Sequence, residues 1–235
     1  EYNKKVICSY GFSDDKLVVQ SNGVDTEKFY ADSEERKRFR EKKKMTGIVA
    51  GNVGILIPRK GVDTFLLMVD RFPHNKFFWF GKIFSGLLVK PIPKDISRNA
   101  HFTGYVKIED INAVFNALDI FLFPSYEENQ GMSLLEAAVV GLPILIRDIP
   151  VYHDWLVHNE NCLKAKTDEE FEKTTNEIFK ALDFAGKNQH VLFTSIKITG
   201  ISAMELLEKI HAKQSLNEVE KEAWQKVKDR FYRLC

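Results

Sequence analysis

Residues 121–138 read FLFPSYEENQGMSLLEAA. Residues 119–123 form an apolar strand pattern that runs into Pro124-Ser125, a short polar loop, and a helix that opens near Gly131. A strand handing over through a polar loop to a helix N-terminus is a repeating unit of parallel α/β sheets. The strand's carboxyl end and the helix's first N–H groups together make an anion site. Two carboxylates, Glu128 and Glu136, bracket the junction.

The rest of the chain supports that reading. Strands are expected at 47–53, 77–80, 100–103, 120–123, 143–147 and 162–165, and amphipathic helices at 62–70, 108–117, 132–140, 150–157 and 168–182. Such alternation predicts a Rossmann-like, doubly wound parallel sheet with helices on both faces. Near-continuous apolar runs such as Ile120–Phe123 are what strands covered on both faces look like. Ahead of this core, residues 3–20 suggest a helical piece and a short strand at 17–20, and Ser21-Asn22-Gly23 is a turn signal. Residues 201–235 are helical, charged and without strands, with Met204, Leu206, Leu207 and Ile210 at helical spacing. That end reads either as a helix packed on the sheet layer or as a bridge to a further domain. The expected organisation is a linker or the end of another domain over 1–20, an α/β domain over 21–200, and C-terminal helices over 201–235.

Composition narrows the function classes. A formal net charge of +1 argues against bulk nucleic-acid binding. No run of eighteen apolar residues occurs, so nothing in the sequence reads as a membrane span. Cys8, Cys162 and Cys235 have no metal-ligand spacing and form no obvious pairs, as suits a reducing cytoplasm. His101, His153 and His158 likewise lack a third partner at metal spacing and read as surface or packing residues. No metal or cofactor is expected. The first residue is Glu, which suggests a piece of something longer. The run RKRFREKKK, residues 36–44, is a solvated helix face on one reading and a contact for anionic lipid on the other.

A second candidate site is VAGNVGILIPRKG, residues 49–61. A strand ends at Val53, Gly51 and Gly54 allow close backbone approach, and Arg59-Lys60 stand just before a helix N-terminus, where phosphate is favoured. The spacing matches neither GxGxxG nor the P-loop, which weakens an NAD-binding reading. In a doubly wound sheet, loops at the carboxyl ends of neighbouring strands share one crevice. Basic groups would take a diphosphate there, and carboxylates would accept hydrogen bonds from vicinal hydroxyls. A nucleotide sugar offers both. Eight residues of helix rise about 12 Å, which matches the reach from the ribose of such a molecule to its hexose.

These motifs, in order, resemble the C-terminal, donor-binding half of GT-B glycosyltransferases of the retaining family 4. The resemblance rests on Asn22-Gly23-Val24-Asp25, Lys60-Gly61, Gly104-Tyr105-Val106, and Pro124-Ser125 followed by Glu128, Glu136 and Ala137-Ala138. It implies that Glu136 binds ribose hydroxyls, that Glu128 and the backbone of Asn129, Gln130, Gly131 and Met132 hold the hexose, and that Lys60 pairs with the diphosphate. It also implies that Gly54 borders the donor and that Tyr105 and Val106 border the base. Lys60, Arg59 and Glu128 are the candidate catalytic residues. Where the family has Arg after the glycine of the first loop, this chain has Ile55, and Arg59 is the candidate substitute. Arg59-Lys60-Gly61, EENQG at 127–131 and RDIPVY at 147–152 resemble Gram-positive enzymes that glycosylate diacylglycerol or glucosyl-diacylglycerol. The resemblance implies a hexosyltransferase using UDP-glucose or UDP-galactose with retention. Its partners would be a lipid or glycan acceptor, a missing N-terminal domain and the inner face of the cell membrane. The alternative is a non-catalytic nucleotide-sugar-binding or interaction module of the same fold.

Overall fold

A computed structural model describes residues 2–83 and 98–185. The elements in chain order are α1 (Tyr2–Ser9), α2 (Ser33–Lys43), β1 (Val49–Val53), α3 (Val62–Arg71), β2 (Lys76–Phe80), β3 (Ala100–Gly104), α4 (Ile111–Ala117), β4 (Ile120–Phe123), α5 (Met132–Val140), β5 (Ile144–Arg147), β6 (Leu163–Ala165) and α6 (Asp168–Ala185). Among the described residues the strands form one parallel sheet in the order β3-β2-β1-β4-β5-β6. The order reverses between β1 and β4, which pair at Ala50↔Ile120 and Gly51↔Phe121.

Side-chain alternation along the strands builds two cores. Phe77 and Trp79 of β2 and Ile120 and Leu122 of β4 pack with Phe65, Met68, Phe171 and Phe179 from α3 and α6. Their neighbours Phe78, Phe80, Phe121 and Phe123 face Phe39, Val114, Phe115 and Leu134 from α2, α4 and α5. Both faces are covered, which is why these strands carry no solvent-facing polar stripe.

α2 shows how the basic run is divided. Asp32 caps the helix by accepting from the Glu35 N–H at 2.9 Å. Arg36 and Arg40 lie one turn apart and both reach Asp119, which is buried at the start of β4. Asp119 also accepts from the Val49 N–H at 2.7 Å, so one carboxylate joins α2, β1 and β4. Lys37, Arg38, Lys42, Lys43 and Lys44 remain exposed.

Two local expectations fail. Residues 17–20 form no strand; Val18 is 91% exposed and has no neighbouring strand to pair with. The helix expected at 150–157 is one 3-10 turn, Pro150–Tyr152. Asn161 explains its early end: its side chain accepts from the Val157 N–H at 2.9 Å and donates to the Trp155 carbonyl at 3.0 Å, competing with helical bonds. The stretch 108–117 opens with a 3-10 turn, Ile108–Asp110, before α4. The C-terminal helices expected over 201–235, with Cys235, lie outside the described residues.

Replacing Asp119 with Ala removes the acceptor of two guanidinium groups and one buried N–H. The expected loss is about 3 kcal/mol, the usual consequence of breaking a buried ion pair from one side. Urea denaturation at neutral pH should show it as a lower midpoint.

Candidate functional site

The loops after β1 and β4 meet where the strand order reverses, the place where open α/β sheets bind ligands. After β1, a 3-10 turn over Pro58–Lys60 leads to Gly61, which adopts φ +74° and opens α3. A Cβ on Gly61 would lie 2.2 Å from the Pro124 carbonyl oxygen, so only glycine lets the two loops close on each other. The Tyr126 N–H donates to the Arg59 carbonyl at 2.9 Å, and the Arg59 guanidinium donates to the Glu127 carbonyl at 3.1 Å.

This contact brings Lys60 and Glu128 together in an ion pair. Their side chains are only 15% and 7% exposed, so the pair is largely shielded from solvent. The Lys60 ammonium also lies 5.6 Å from the centroid of the Phe123 ring. Both α3 and α5 open on a left-handed glycine, Gly61 and Gly131, with no side-chain cap at either. Two positive helix ends therefore face the crevice beside Lys60.

Glu136 lies one turn into α5 and is half-buried. Burial pushes its carboxyl above the usual glutamate range, and the Lys28 ammonium partly offsets this. Glu128 sits in the loop ahead of α5, so the helical rise used to relate the two carboxylates does not describe their separation.

The remaining candidates take varied positions. Asn129 is exposed, and its carbonyl accepts from the Asn3 side chain at 3.2 Å. The Gln130 side chain turns back to accept from the Asn22 backbone and side-chain N–H groups, each at 2.8 Å. Met132 is exposed on the first turn of α5. Tyr105 (exposed) and Val106 (packed on the core) follow β3 at the same edge of the sheet. Gly54 has a specific neighbour: Gly81, at φ +152°, approaches so closely that a Cβ on it would lie 1.8 Å from the Gly54 carbonyl oxygen. The Trp79 indole N–H holds that carbonyl at 2.9 Å. Ile55, where the family pattern has Arg, is exposed.

Arg147, quoted above only within a motif, fixes the second loop. It is buried at the end of β5 and donates to the carbonyls of Pro124 at 3.1 Å and Lys166 at 2.8 Å. It also donates to Thr64 Oγ1 at 2.6 Å and Asp168 Oδ1 at 2.7 Å, and its guanidinium lies 4.3 Å from the Tyr126 ring centroid. Burial would raise the Asp168 carboxyl, but hydrogen bonds from Arg147 and Thr64 and the guanidinium charge hold it below the usual range. A charged residue closing the apolar run Ile144–Ile146 is the sequence signal for such a clamp. Among the described residues, no group of three His, Cys, Asp or Glu side chains is placed to hold a metal ion. No helix there is long and apolar enough to cross a membrane.

The family model for glycosyl transferases group 1 matches residues 33–187, more than half of the chain. The chain belongs to that family. It is 33% identical over 183 residues to the processive diacylglycerol alpha-glucosyltransferase of Acholeplasma laidlawii, covering 75% of this chain and 55% of that protein. It is 32% identical over 156 residues to the alpha-galactosylglucosyldiacylglycerol synthase of Streptococcus pneumoniae, covering 62% of this chain and 41% of that protein. The chain thus spans about half the length of the curated relatives it matches. Its fold matches the crystal structure of Anabaena HepE in complex with UDP and glucose at a TM-score of 0.67 and 15% identity, over 97% of this chain and 60% of that one. The doubly wound parallel sheet of this group 1 family member is therefore that of the GT-B fold.

Arg147→Met should destabilise the protein by about 3 kcal/mol, since it strips a buried charged network of its donor. Because the folded pKa of Asp168 is depressed, its stabilisation is full above the ordinary aspartate pKa and is lost as pH falls through the lower folded value. Urea midpoints measured across the acid range should fall more steeply in the wild type than in the variant, where only Thr64 still holds the carboxyl down.

Proposed function

We propose that the chain is the donor-binding half of a retaining hexosyltransferase, using UDP-glucose or UDP-galactose and glycosylating a diacylglycerol glycolipid. The observation that carries this reading is the shielded Lys60–Glu128 pair at the β1/β4 reversal, set between two uncapped helix N-termini. The relatives in A. laidlawii and S. pneumoniae, named as diacylglycerol glycosyltransferases, support the acceptor class. HepE, with UDP and glucose bound, supports the donor class.

In this reading Lys60 and the two helix ends stabilise the departing diphosphate by pre-oriented positive charge. Glu128 and the backbone at Gly131 and Met132 fix the hexose, and Glu136 accepts from the ribose hydroxyls. Tyr105 and Val106 border the base. A separate N-terminal half carries the acceptor site, so this chain alone binds donor without turnover. The exposed lysines of α2 give it peripheral contact with anionic membrane at the cytoplasmic face.

One observation favours a second reading, a module of this fold without catalysis: Ile55 replaces an arginine, and Arg59 is engaged with the Glu127 carbonyl. Substituting Ile55→Arg separates the two. A large gain in UDP affinity marks a degenerate site, and an unchanged affinity marks a complete one.

Calorimetric titration with UDP and UDP-glucose tests the main reading. The wild type should bind both, and Glu136→Ala should abolish or greatly weaken binding. Binding of neither by the wild type would reject the donor site. The pH dependence has a fixed sign. Glu136 accepts from both ribose hydroxyls with charge-assisted bonds when ionised and more weakly when protonated, and its pKa is raised, so UDP affinity should fall on acidification, starting above the ordinary glutamate range.

A further inference from the structure

Tyr152 is fully buried, yet its hydroxyl has no hydrogen-bond partner. A phenol is not usually buried that way, because an unsatisfied donor costs about 1–3 kcal/mol. Its location gives the reason a function. A Cβ placed on Gly131 would meet the Tyr152 hydroxyl at 3.2 Å and the edge of the Phe123 ring at 3.1 Å. The phenol thus lies directly behind the residue that opens α5, as does the edge of the Phe123 ring, beside which the Lys60 ammonium sits. Gly131 leaves the space between them open, and its own φ of +81° keeps a side chain out.

In this structure Glu128 is satisfied by Lys60. A diphosphate arriving at the two helix ends competes for the same ammonium. Once Lys60 turns to phosphate, the Glu128 carboxylate, shielded from solvent, loses its main partner, and a shielded carboxylate without a donor is strongly disfavoured. Among the described residues, the Tyr152 hydroxyl is a buried donor without a hydrogen bond, as is that of Ser125 in the loop ahead of Glu128, and of the two it is Tyr152 that lies behind Gly131. Tyr152 and Glu128 already sense each other: burial raises the phenol's pKa, and the Glu128 charge raises it further.

We propose that Tyr152 is a positioning residue that takes over the Glu128 carboxylate by hydrogen bond when a nucleoside diphosphate sugar draws Lys60 away, and so holds Glu128 in place for the hexose. The proposal rests on the donor-site reading above. It assigns the Lys60–Glu128 pair to the resting state and a Tyr152–Glu128 pair to the loaded one. No bond other than hydrogen bonds is exchanged, and the proton stays on the phenol.

The test compares wild type, Tyr152→Phe, Glu128→Gln and the double variant, each titrated with UDP and with UDP-glucose. Tyr152→Phe removes a hydroxyl that makes no bond in the resting state, so it should leave the melting temperature unchanged or higher. It should weaken UDP-glucose binding about tenfold, the worth of one hydrogen bond to a charged group. UDP carries the same diphosphate and draws Lys60 away as well, so its binding should also weaken in Tyr152→Phe, and for both ligands the loss should vanish in the Glu128→Gln background. For UDP-glucose the double variant should be no weaker than Glu128→Gln alone, since the two residues act as one unit. A lower melting temperature in Tyr152→Phe would show a structural role and overturn the proposal. So would additive effects of the two single substitutions on UDP-glucose. Wild-type protein that binds neither ligand would overturn the donor-site reading, and the proposal with it. Wild-type binding with an inert Tyr152→Phe would overturn the proposal alone.

Discussion

The carbonyl of Pro124 is the point on which the site depends. Gly61 packs its bare α-carbon against that oxygen from the β1 side, and the Arg147 side chain donates to it from the β5 side. Three loops at the carboxyl edge of the sheet are thereby referred to one backbone atom. Lys60 and Glu128 lie far apart in sequence, and their meeting follows from this contact rather than from their own attraction. An ion pair between long side chains is a weak organiser, because it must first overcome the rotamer freedom of both. The backbone bond from the Tyr126 N–H to the Arg59 carbonyl closes the loops without that entropy loss, and the Arg59 guanidinium adds a bond to the Glu127 carbonyl.

Charge is arranged differently at the two edges of the sheet. At the amino edge, Asp119 is matched by Arg36 and Arg40 and by the Val49 N–H, so the two arginines of the basic segment that turn into the fold meet a buried counter-charge there. At the carboxyl edge the balance is left positive. Two helix N-termini without side-chain caps and Lys60 converge there, and Glu128 answers only Lys60. In the donor reading proposed above, such a place favours a multiply charged anion, because each helix end adds to the attraction of Lys60. The protein's own carboxylate thus holds the cation without saturating the site.

Much of this was legible in the chain. Strand and helix alternation gave the sheet, and the six expected strands of the α/β core match those observed within two residues. The reason is physical: strands buried on both faces have little freedom in composition, and Ile120–Phe123 or Lys76–Phe80 could sit nowhere else. Lys60 and Glu128 were legible as members of one crevice because strand order in a doubly wound sheet fixes which loops are neighbours. Where local chemistry competed, the reading failed. Asn161 ends the helix expected at 150–157 through side-chain bonds that no periodicity encodes. At 17–20 an apolar run suggested a strand, but a strand also needs a partner edge, and Val18 has none.

What the sequence hid most completely is the supporting layer around the site. Gly54 drew attention as a glycine near a ligand, whereas the tight backbone contact there belongs to Gly81, and this emerges only when the β1 and β2 loops are brought side by side. Arg147 carries a visible signal, a charge closing an apolar strand, but its five partners come from three separate stretches of chain. Tyr152 carries none. In the sequence it is one aromatic in a short apolar run, and an aromatic in such a place is read as core. The core reading is right for its ring, which is fully buried against Trp155. It leaves out the hydroxyl. An apolar pocket could be filled as well by phenylalanine and without the penalty of an orphaned donor, so the oxygen must answer to something that the ring does not. That asymmetry between a well-packed ring and an unsatisfied hydroxyl becomes visible only once coordinates place the oxygen behind Gly131, within the electrostatic reach of Glu128.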